Sequence, residues 1–131
     1  MPEGIVRYDT EKVEQSVING LKKALPQIIT DALNTNDTIA PGYRGEKPAV
    51  TPVKTVMVTQ SAFHPTDVNV PPIEIRIIAG EARGRNPDLV AKRIAKAISA
   101  MNWIPQEFLE GDKSSVWLHF SLSNGFCPIP R

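Results

Sequence analysis

The sequence follows one plan twice, over about residues 1–62 and again over about residues 70–124: a strand-like segment, a long segment with helical periodicity, and another strand-like segment. The two strands of each unit need a crossover helix between them. Because crossovers are right-handed, both helices fall on one face of a single four-stranded sheet. The sequence therefore predicts one α+β domain over residues 1–131, in which duplicated β-α-β units form the sheet and two helices pack on one face.

The first half is the less regular of the two. Residues 4–8 predict a strand, since they are rich in strand-forming types. The apolar residues that follow recur at helical spacing: Val13, Val17, Leu21, Leu25, Ile28 and Ala32. Asp9 or Thr10 is expected to cap this helix. Pro26 is expected to kink it or make it restart, because proline removes a backbone donor and crowds the preceding turn.

The remaining elements are predicted from shorter signals. A second strand is expected over residues 53–60, and alternating isoleucines predict a third that begins at residue 73 and ends at residues 78–80. Asn86 and Pro87 combine a capping residue with a proline at the first helical position, so the second helix should begin there. A last strand is predicted over residues 115–122, with apolar residues at alternate positions.

The face of the sheet opposite the helices is not purely polar. The strand patterns put apolar residues on it as well, notably Met57, Ile78 and Trp117. Exposed apolar surface of this kind marks a contact with another molecule. The sequence therefore predicts self-association through the sheet.

Composition excludes several classes of function. With 15 Lys and Arg against 14 Asp and Glu, the net charge is +1, so no overall field recruits nucleic acid or an anionic membrane. The single cysteine, Cys127, excludes an intrachain disulfide and fits a reducing compartment. Neither His64 nor His119 has a partner at metal-ligand spacing, so no metal is expected. Without a long apolar run or a signal peptide, a cytoplasmic protein is expected.

Pro2 carries the most distinctive chemistry. If the initiator methionine is removed, Pro2 becomes a terminal secondary amine, and a terminal amine titrates much closer to neutrality than any lysine. A partly apolar pocket disfavours its charged form and lowers its pKa further. Such an amine can act as a general base toward a proton beside a carbonyl group. The alternative is an ordinary proline at the start of a strand.

Arg83 and Arg85 lie in a glycine-containing turn directly before the second helix. Two cations and the positive end of a helix converge there, which favours binding of an anion such as a carboxylate. The alternative is a solvated turn. Phe126, after the last strand, is a candidate for the apolar wall that a terminal amine requires.

The duplicated plan behind an N-terminal Met-Pro resembles the tautomerase superfamily, which includes 4-oxalocrotonate tautomerase, 5-carboxymethyl-2-hydroxymuconate isomerase and macrophage migration inhibitory factor. The resemblance covers most of the chain. It is closest at residues 73–80, the arginines that follow, and the helix that ends at residues 94–98. Residues 114–117 and 124–126 resemble the next strand and its aromatic turn.

The resemblance implies a trimer with active sites near the N-terminal proline, no cofactor and a small carboxylate-bearing substrate. Pro2 matches the proline that shuttles a proton between oxygen and carbon of an enol acid. Arg83 or Arg85 matches the arginine that holds the carboxylate, although extra residues lengthen the turn here. Trp117 occupies the strand position where 4-oxalocrotonate tautomerase has a second arginine.

Two functions follow from these expectations. The first is a tautomerase-like isomerase with Pro2 as catalytic base. Its substrate-binding candidates are Arg83, Arg85, Phe126 and Trp117. The second is a non-catalytic trimeric scaffold or small-ligand-binding protein of the same fold, favoured by the missing second arginine and by Glu3 beside Pro2.

Arg7 and Arg76 lie on strands and either replace that arginine or form ion pairs. Nucleic-acid binding through residues 83–93 is disfavoured because aromatic residues do not interleave with the basic ones.

Overall fold

The computed structural model describes residues 2–45, 50–79, 84–101 and 116–122. In chain order the described elements are β1 (Glu3–Tyr8), α1 (Gln15–Asn34), β2 (Met57–Ala62), β3 (Ile73–Ala79), α2 (Pro87–Ser99) and β4 (Val116–Leu122). Short turns of 3-10 helix at Asn36–Thr38 and Val53–Thr55 lie between α1 and β2. This order is the predicted β-α-β plan, run twice.

The sheet has the strand order β2-β1-β3-β4. Within each half the two strands are parallel, and the halves meet where β1 pairs antiparallel with β3. α1 contacts β1 and β2, α2 contacts β4, and the two helices contact each other. The predicted α+β class, a four-stranded sheet with helices packed against it, is confirmed.

Alternate strand residues face the helices and form the core. Val6 on β1 and Ile75 on β3 lie opposite each other and are fully buried. The helices cover them with an apolar stripe: Ile18, Leu21, Leu25 and Ile29 from α1, and Val90, Ile94 and Ile98 from α2. Each fully buried side chain of this size contributes about 1.5–3 kcal/mol relative to leaving it exposed. The core therefore lies between the helices and one face of the sheet.

α1 begins later than the sequence predicts. The backbone first forms a separate turn, in which Asp9 O accepts from Lys12 N at 3.1 Å and from Val13 N at 3.0 Å. The helix then begins at Gln15. Val13 is buried although it lies in this turn. Its spacing from Val17 therefore reflects burial in the core and not a position in the helix.

Pro26 lies inside α1, which continues through it without the predicted restart. Leu25 and Ile29, on either side of it, are fully buried. Most helix stability in proteins comes from tertiary packing, and here the packed stripe supports the turn that lacks the Pro26 donor.

β2 spans Met57–Ala62 rather than residues 53–60. Residues 53–55 instead form a 3-10 turn after Pro52, whose carbonyl oxygen accepts from Thr55 Oγ1 at 2.7 Å. β2 is an edge strand in this sheet, and Val58 is the residue by which it packs partly against the core.

The second half follows the prediction closely. α2 begins at Pro87, after Asn86, whose side chain accepts from two backbone N–H groups of the first turn. In β4, Val116 and Leu118 turn toward the core and Trp117 turns away from it. Among the helices of the described residues, none has the length and apolar character that crossing a membrane requires.

Gly4 tests how closely α1 packs on β1. A Cβ added there would lie 3.5 Å from Ile29 Cδ1 and 3.6 Å from Val58 Cγ2, which are ordinary contact distances. We expect Gly4→Ala to raise the free energy of unfolding by about 0.4–1 kcal/mol, because it restricts the unfolded chain. Gly4→Val adds two methyl groups beyond that contact and should lower the free energy of unfolding by about 1–3 kcal/mol. Urea denaturation measures both.

Gly42 is the control position, since its φ is +79° and nothing lies within 4 Å of an added Cβ. Gly42→Ala should lower the free energy of unfolding by about 1–2 kcal/mol through backbone strain alone. A loss for Gly4→Ala as large as that for Gly4→Val would contradict the packing described.

Candidate active site

Pro2 lies at the start of β1 and is tied into the sheet. Its carbonyl oxygen accepts a hydrogen bond from Met57 N at 3.1 Å. Pro2 is buried, in step with Gly4 and Val6 on the side of β1 that faces the helices. A basic nitrogen at this position would be largely removed from water, and burial disfavours the charged form of an amine.

The edge of the sheet at which Pro2 lies is also where β3 and β4 end. β1 runs antiparallel to β3, with Glu3 opposite Ile78, and β4 runs parallel to β3. The chain therefore leaves β3 beside Pro2 and enters the arginine turn. Arg83 and Phe126, two of the predicted substrate-binding residues, lie outside the described residues.

Arg85, the other predicted arginine, is buried at the C-terminal end of α1. Its Nη1 donates to the carbonyl oxygen of Thr35 and, at 2.8 Å, to Thr38 Oγ1. Thr38 Oγ1 in turn donates to Ala32 O at 2.7 Å, within the last turns of the helix. A cation is favourable here because it meets the negative end of the helix dipole.

Burial lowers the pKa of Arg85, and the negative charge of Asp37 opposes that shift. The guanidinium remains charged at neutral pH. Its Nε is buried and has no hydrogen-bond partner among the described residues. To hold a substrate with Nη1, Arg85 would have to give up Thr35 and Thr38, so its role as a carboxylate binder stays a prediction.

The N-terminus of α2, which the sequence predicts to add positive charge, is already capped. Asn86 Oδ1 accepts from Asp88 N at 2.9 Å and from Leu89 N at 3.2 Å. Pro87 has no N–H to offer. An anion at this helix end would therefore compete with Asn86.

Trp117 does not meet Pro2 within one chain. It lies near the start of β4, in register with Glu74, whereas Pro2 lies at the edge where β4 ends. It also lies on the face of the sheet away from the core and is 44% exposed. A contribution of Trp117 to a site at Pro2 would require a second subunit, and it stays a prediction.

The face of the sheet that carries Trp117 also holds a charged cluster that the sequence does not reveal as a group. Glu74 Oε1 accepts from Arg76 Nε at 2.9 Å and from Arg7 Nη1 at 3.5 Å. His119 Nε2 lies 4.0 Å from Glu74 Oε2. Arg7 and Arg76 are thus paired strand arginines, one of the two alternatives that the sequence left open. Strand register is the signal that identifies the group, since β1 and β3 align Arg7 with Glu74.

Metal chemistry receives no support from the described part of the chain. No group of three His, Cys, Asp or Glu side chains there is arranged to hold an ion.

No family model and no curated protein matches this sequence. Solved structures do match the fold. The crystal structure of native Ps01740 is 12% identical over 91% of each chain, with a TM-score of 0.53. The crystal structure of Pt0534 inactivated by 2-oxo-3-pentynoate is 11% identical over 92% of this chain and 85% of that one, with a TM-score of 0.51. At such identities these likenesses show the fold alone, and it is the fold that the resemblance of the sequence implies.

Arg85→Gln should lower the free energy of unfolding by about 1.5–3 kcal/mol, the usual contribution of hydrogen bonds to a charged donor. The half-buried carbonyl of Thr35 would lose its charged partner at the end of α1. Arg93→Gln is the matched control, because Arg93 pairs with Asp37 on the exposed surface. That exposed pair should be worth about 0–1 kcal/mol. Equal losses for the two variants in urea denaturation would show that Arg85 does not stabilise the helix end.

Proposed function

We propose that this protein is a tautomerase-like isomerase that moves a proton between oxygen and carbon of a small enol acid, with Pro2 as the general base. The observation that carries the proposal is the position of Pro2 in a chain with a tautomerase-superfamily fold. Pro2 is buried at the start of β1, at the edge where β3 ends and the arginine turn begins. The fold is shared with Pt0534, which is inactivated by the small oxo acid 2-oxo-3-pentynoate.

The reaction needs one group that removes a proton and returns it elsewhere. A neutral Pro2 amine would accept the proton of the enol hydroxyl, whose electron pair forms the carbonyl. The electrons of the carbon–carbon double bond then take the same proton from the Pro2 ammonium. Nothing is oxidised or reduced, so the step itself requires no cofactor. A pKa near the working pH lets the amine both accept and donate.

Two conditions follow from this chemistry. Pro2 must be the first residue of the mature chain, because the nitrogen of a Met1–Pro2 peptide bond has no basic lone pair. The substrate carboxylate must also meet a cation near Pro2. We assign Arg83 this role ahead of Arg85, because Thr35 and Thr38 already engage Arg85.

We also propose that the protein is a cytoplasmic trimer that assembles through the row of the helix-free sheet face that lies nearest Pro2. Met57 and Ile78, on the row of that face nearest Pro2, are 47% and 43% exposed. Exposed apolar side chains in adjacent strands favour contact with another protein surface. The balanced charge and the single cysteine support a cytoplasmic location.

A second candidate is a non-catalytic scaffold or small-ligand-binding protein of the same fold. The observation that favours it is that Arg85 and the start of α2, both expected to bind an anion, already have partners within the chain. Arg85 is engaged by α1, and Asn86 caps α2. Kinetics with a Pro2 variant separate the two candidates.

Pro2→Ala should lower kcat/KM for ketonisation of phenylpyruvate enol or a 2-hydroxymuconate-type dienol by about 100-fold or more, because general-base catalysis contributes at least that much. Loss of enol absorbance measures the rate, after intact mass has established that Met1 is absent. Pro65→Ala is the matched control, since Pro65 lies in an exposed loop. Equal rates for wild type and Pro2→Ala would exclude the catalytic role and leave the binding protein.

The same preparations test the nucleophilicity of Pro2 directly. A neutral terminal amine should add to the triple bond of 2-oxo-3-pentynoate and raise the intact mass by one reagent molecule. Peptide mapping should find the addition on the N-terminal peptide of wild type and of Pro65→Ala.

Ile78→Lys should convert the trimer to a monomer in sedimentation velocity at micromolar concentration. Ile78 lies opposite Glu3, so a lysine at position 78 has a carboxylate beside it within its own chain and should not prevent folding. The same lysine places a positive charge in the proposed contact between subunits. Val68→Lys is the control, because Val68 is 79% exposed in the loop between β2 and β3. A wild-type protein that sediments as a monomer would contradict the assembly.

A further inference from the structure

The geometry points to a binding site for a small carboxylate on the helix-free face of the sheet, formed by Arg7 and Arg76 around Glu74, with Trp117 beside them. The site is separate from the edge at which Pro2 lies. Arg7 follows Pro2 by five residues on β1 and faces the other side of the sheet. That spacing corresponds to about 17 Å along an extended strand.

Glu74 organises the site. No described helix covers this face, yet the Glu74 side chain is only 8% exposed. Its Oε1 accepts from Arg76 Nε at 2.9 Å and from Arg7 Nη1 at 3.5 Å, and His119 Nε2 lies 4.0 Å from Oε2. One carboxylate therefore holds two guanidinium groups at a common point.

The charges of this cluster do not balance. Arg7 and Arg76 are permanently charged, and Glu74 neutralises one of them. Glu3, the other acidic residue that the strand register puts on this face, makes no ion pair with any described residue. Arg7, Arg76 and Glu74 together carry about one excess positive charge, and the Glu3 carboxylate lies one row beyond Arg76 on the same face. An anion is the complement that the cluster lacks.

Both arginines are held in place and still have donors available. Arg76 uses Nε for Glu74, and no described residue accepts from its two Nη groups. Arg7 uses Nη1, and its guanidinium carbon lies 4.6 Å from the centre of the Phe63 ring. Guanidinium groups already fixed by partners lose little entropy when they bind a ligand, and their planar fork suits a carboxylate.

Trp117 indicates which kind of carboxylate fits. The register aligns Arg7, Glu74 and Trp117 in one row across β1, β3 and β4. A half-exposed indole therefore lies beside Glu74, on the side of β3 away from Arg7, and offers a flat apolar surface. A planar ligand can stack on it while its acid group meets the guanidinium groups. We assign the site to aromatic or similarly planar carboxylates.

The other account is that the arginines only neutralise Glu74. The two accounts differ in the effect of Glu74→Gln. This substitution removes a carboxylate that competes for the arginines, while the amide oxygen can still accept from them. A carboxylate site should then bind its ligand more tightly. A purely neutralising cluster should gain no affinity and should only lose stability.

The test is an NMR chemical-shift titration with benzoate, acetate and inorganic phosphate. It uses Pro2→Ala protein, so that any role of Pro2 in binding or catalysis does not enter. The benzoate Kd is expected on the order of 1 mM. Arg76→Gln should weaken it about tenfold, as loss of a charge-assisted hydrogen bond predicts. Arg93→Gln should leave it unchanged, because Arg93 pairs with Asp37 away from this face.

Three further variants make the result specific. Glu74→Gln should tighten benzoate binding severalfold. Trp117→Leu should weaken benzoate and leave acetate unchanged. Arg76→Lys, which keeps the charge and loses the fork, should bind with intermediate affinity, and it replaces Arg76→Gln if that variant does not fold.

Equal benzoate affinity for the Arg76 and Arg93 variants would overturn the site. The same conclusion would follow if Glu74→Gln failed to tighten binding. Phosphate affinity equal to that of benzoate, together with no effect of Trp117→Leu, would overturn the assignment to planar carboxylates.

Discussion

The antiparallel pairing of β1 with β3 is the contact on which the rest of the structure depends. It joins the two β-α-β halves into one sheet and puts Glu3 opposite Ile78, so the start of β1 meets the end of β3. Pro2 consequently lies beside the end of β3. The same register sets Val6 against Ile75 beneath the helices. A slip of one residue would turn the isoleucines of β3 toward the other face. Burial of the core therefore fixes the register that puts Pro2 beside the end of β3.

The sheet separates two kinds of chemistry because its two faces have different coverings. On the helix side, Pro2 is buried, and burial favours a neutral amine over its ion. On the other side, Glu74 is almost as buried as the core, and a buried carboxylate is costly unless it is paired. Arg7 and Arg76 provide that pairing from two adjacent strands. One register therefore determines both the surroundings of the proposed base and the composition of the charged cluster.

Much of the fold could be predicted from the sequence because its signals are local. The alternating isoleucines of β3 and the cap formed by Asn86 predicted β3 and α2 where the structure has them. The start of β2 was misplaced because an edge strand with mostly exposed residues has no periodic burial to detect. Local sequence patterns do not predict contacts between residues that are far apart in the chain. Arg7 and Glu74 are 67 residues apart, and Arg85 and Thr35 are 50 apart.

Gly84 determines the direction in which the chain approaches Arg85. Gly84 has φ of +81°, and a Cβ there would lie 2.7 Å from atoms of the Tyr43 ring, so this position requires glycine. Gly84 O also accepts from Ala40 N at 2.7 Å, which ties the end of the turn to the loop after α1. Arg85, the next residue, is thereby directed at the end of the helix. Its hydrogen bonds to Thr35 and Thr38 then use the charge of the guanidinium to hold the end of α1, so the direction that Gly84 gives to the chain determines what Arg85 contacts.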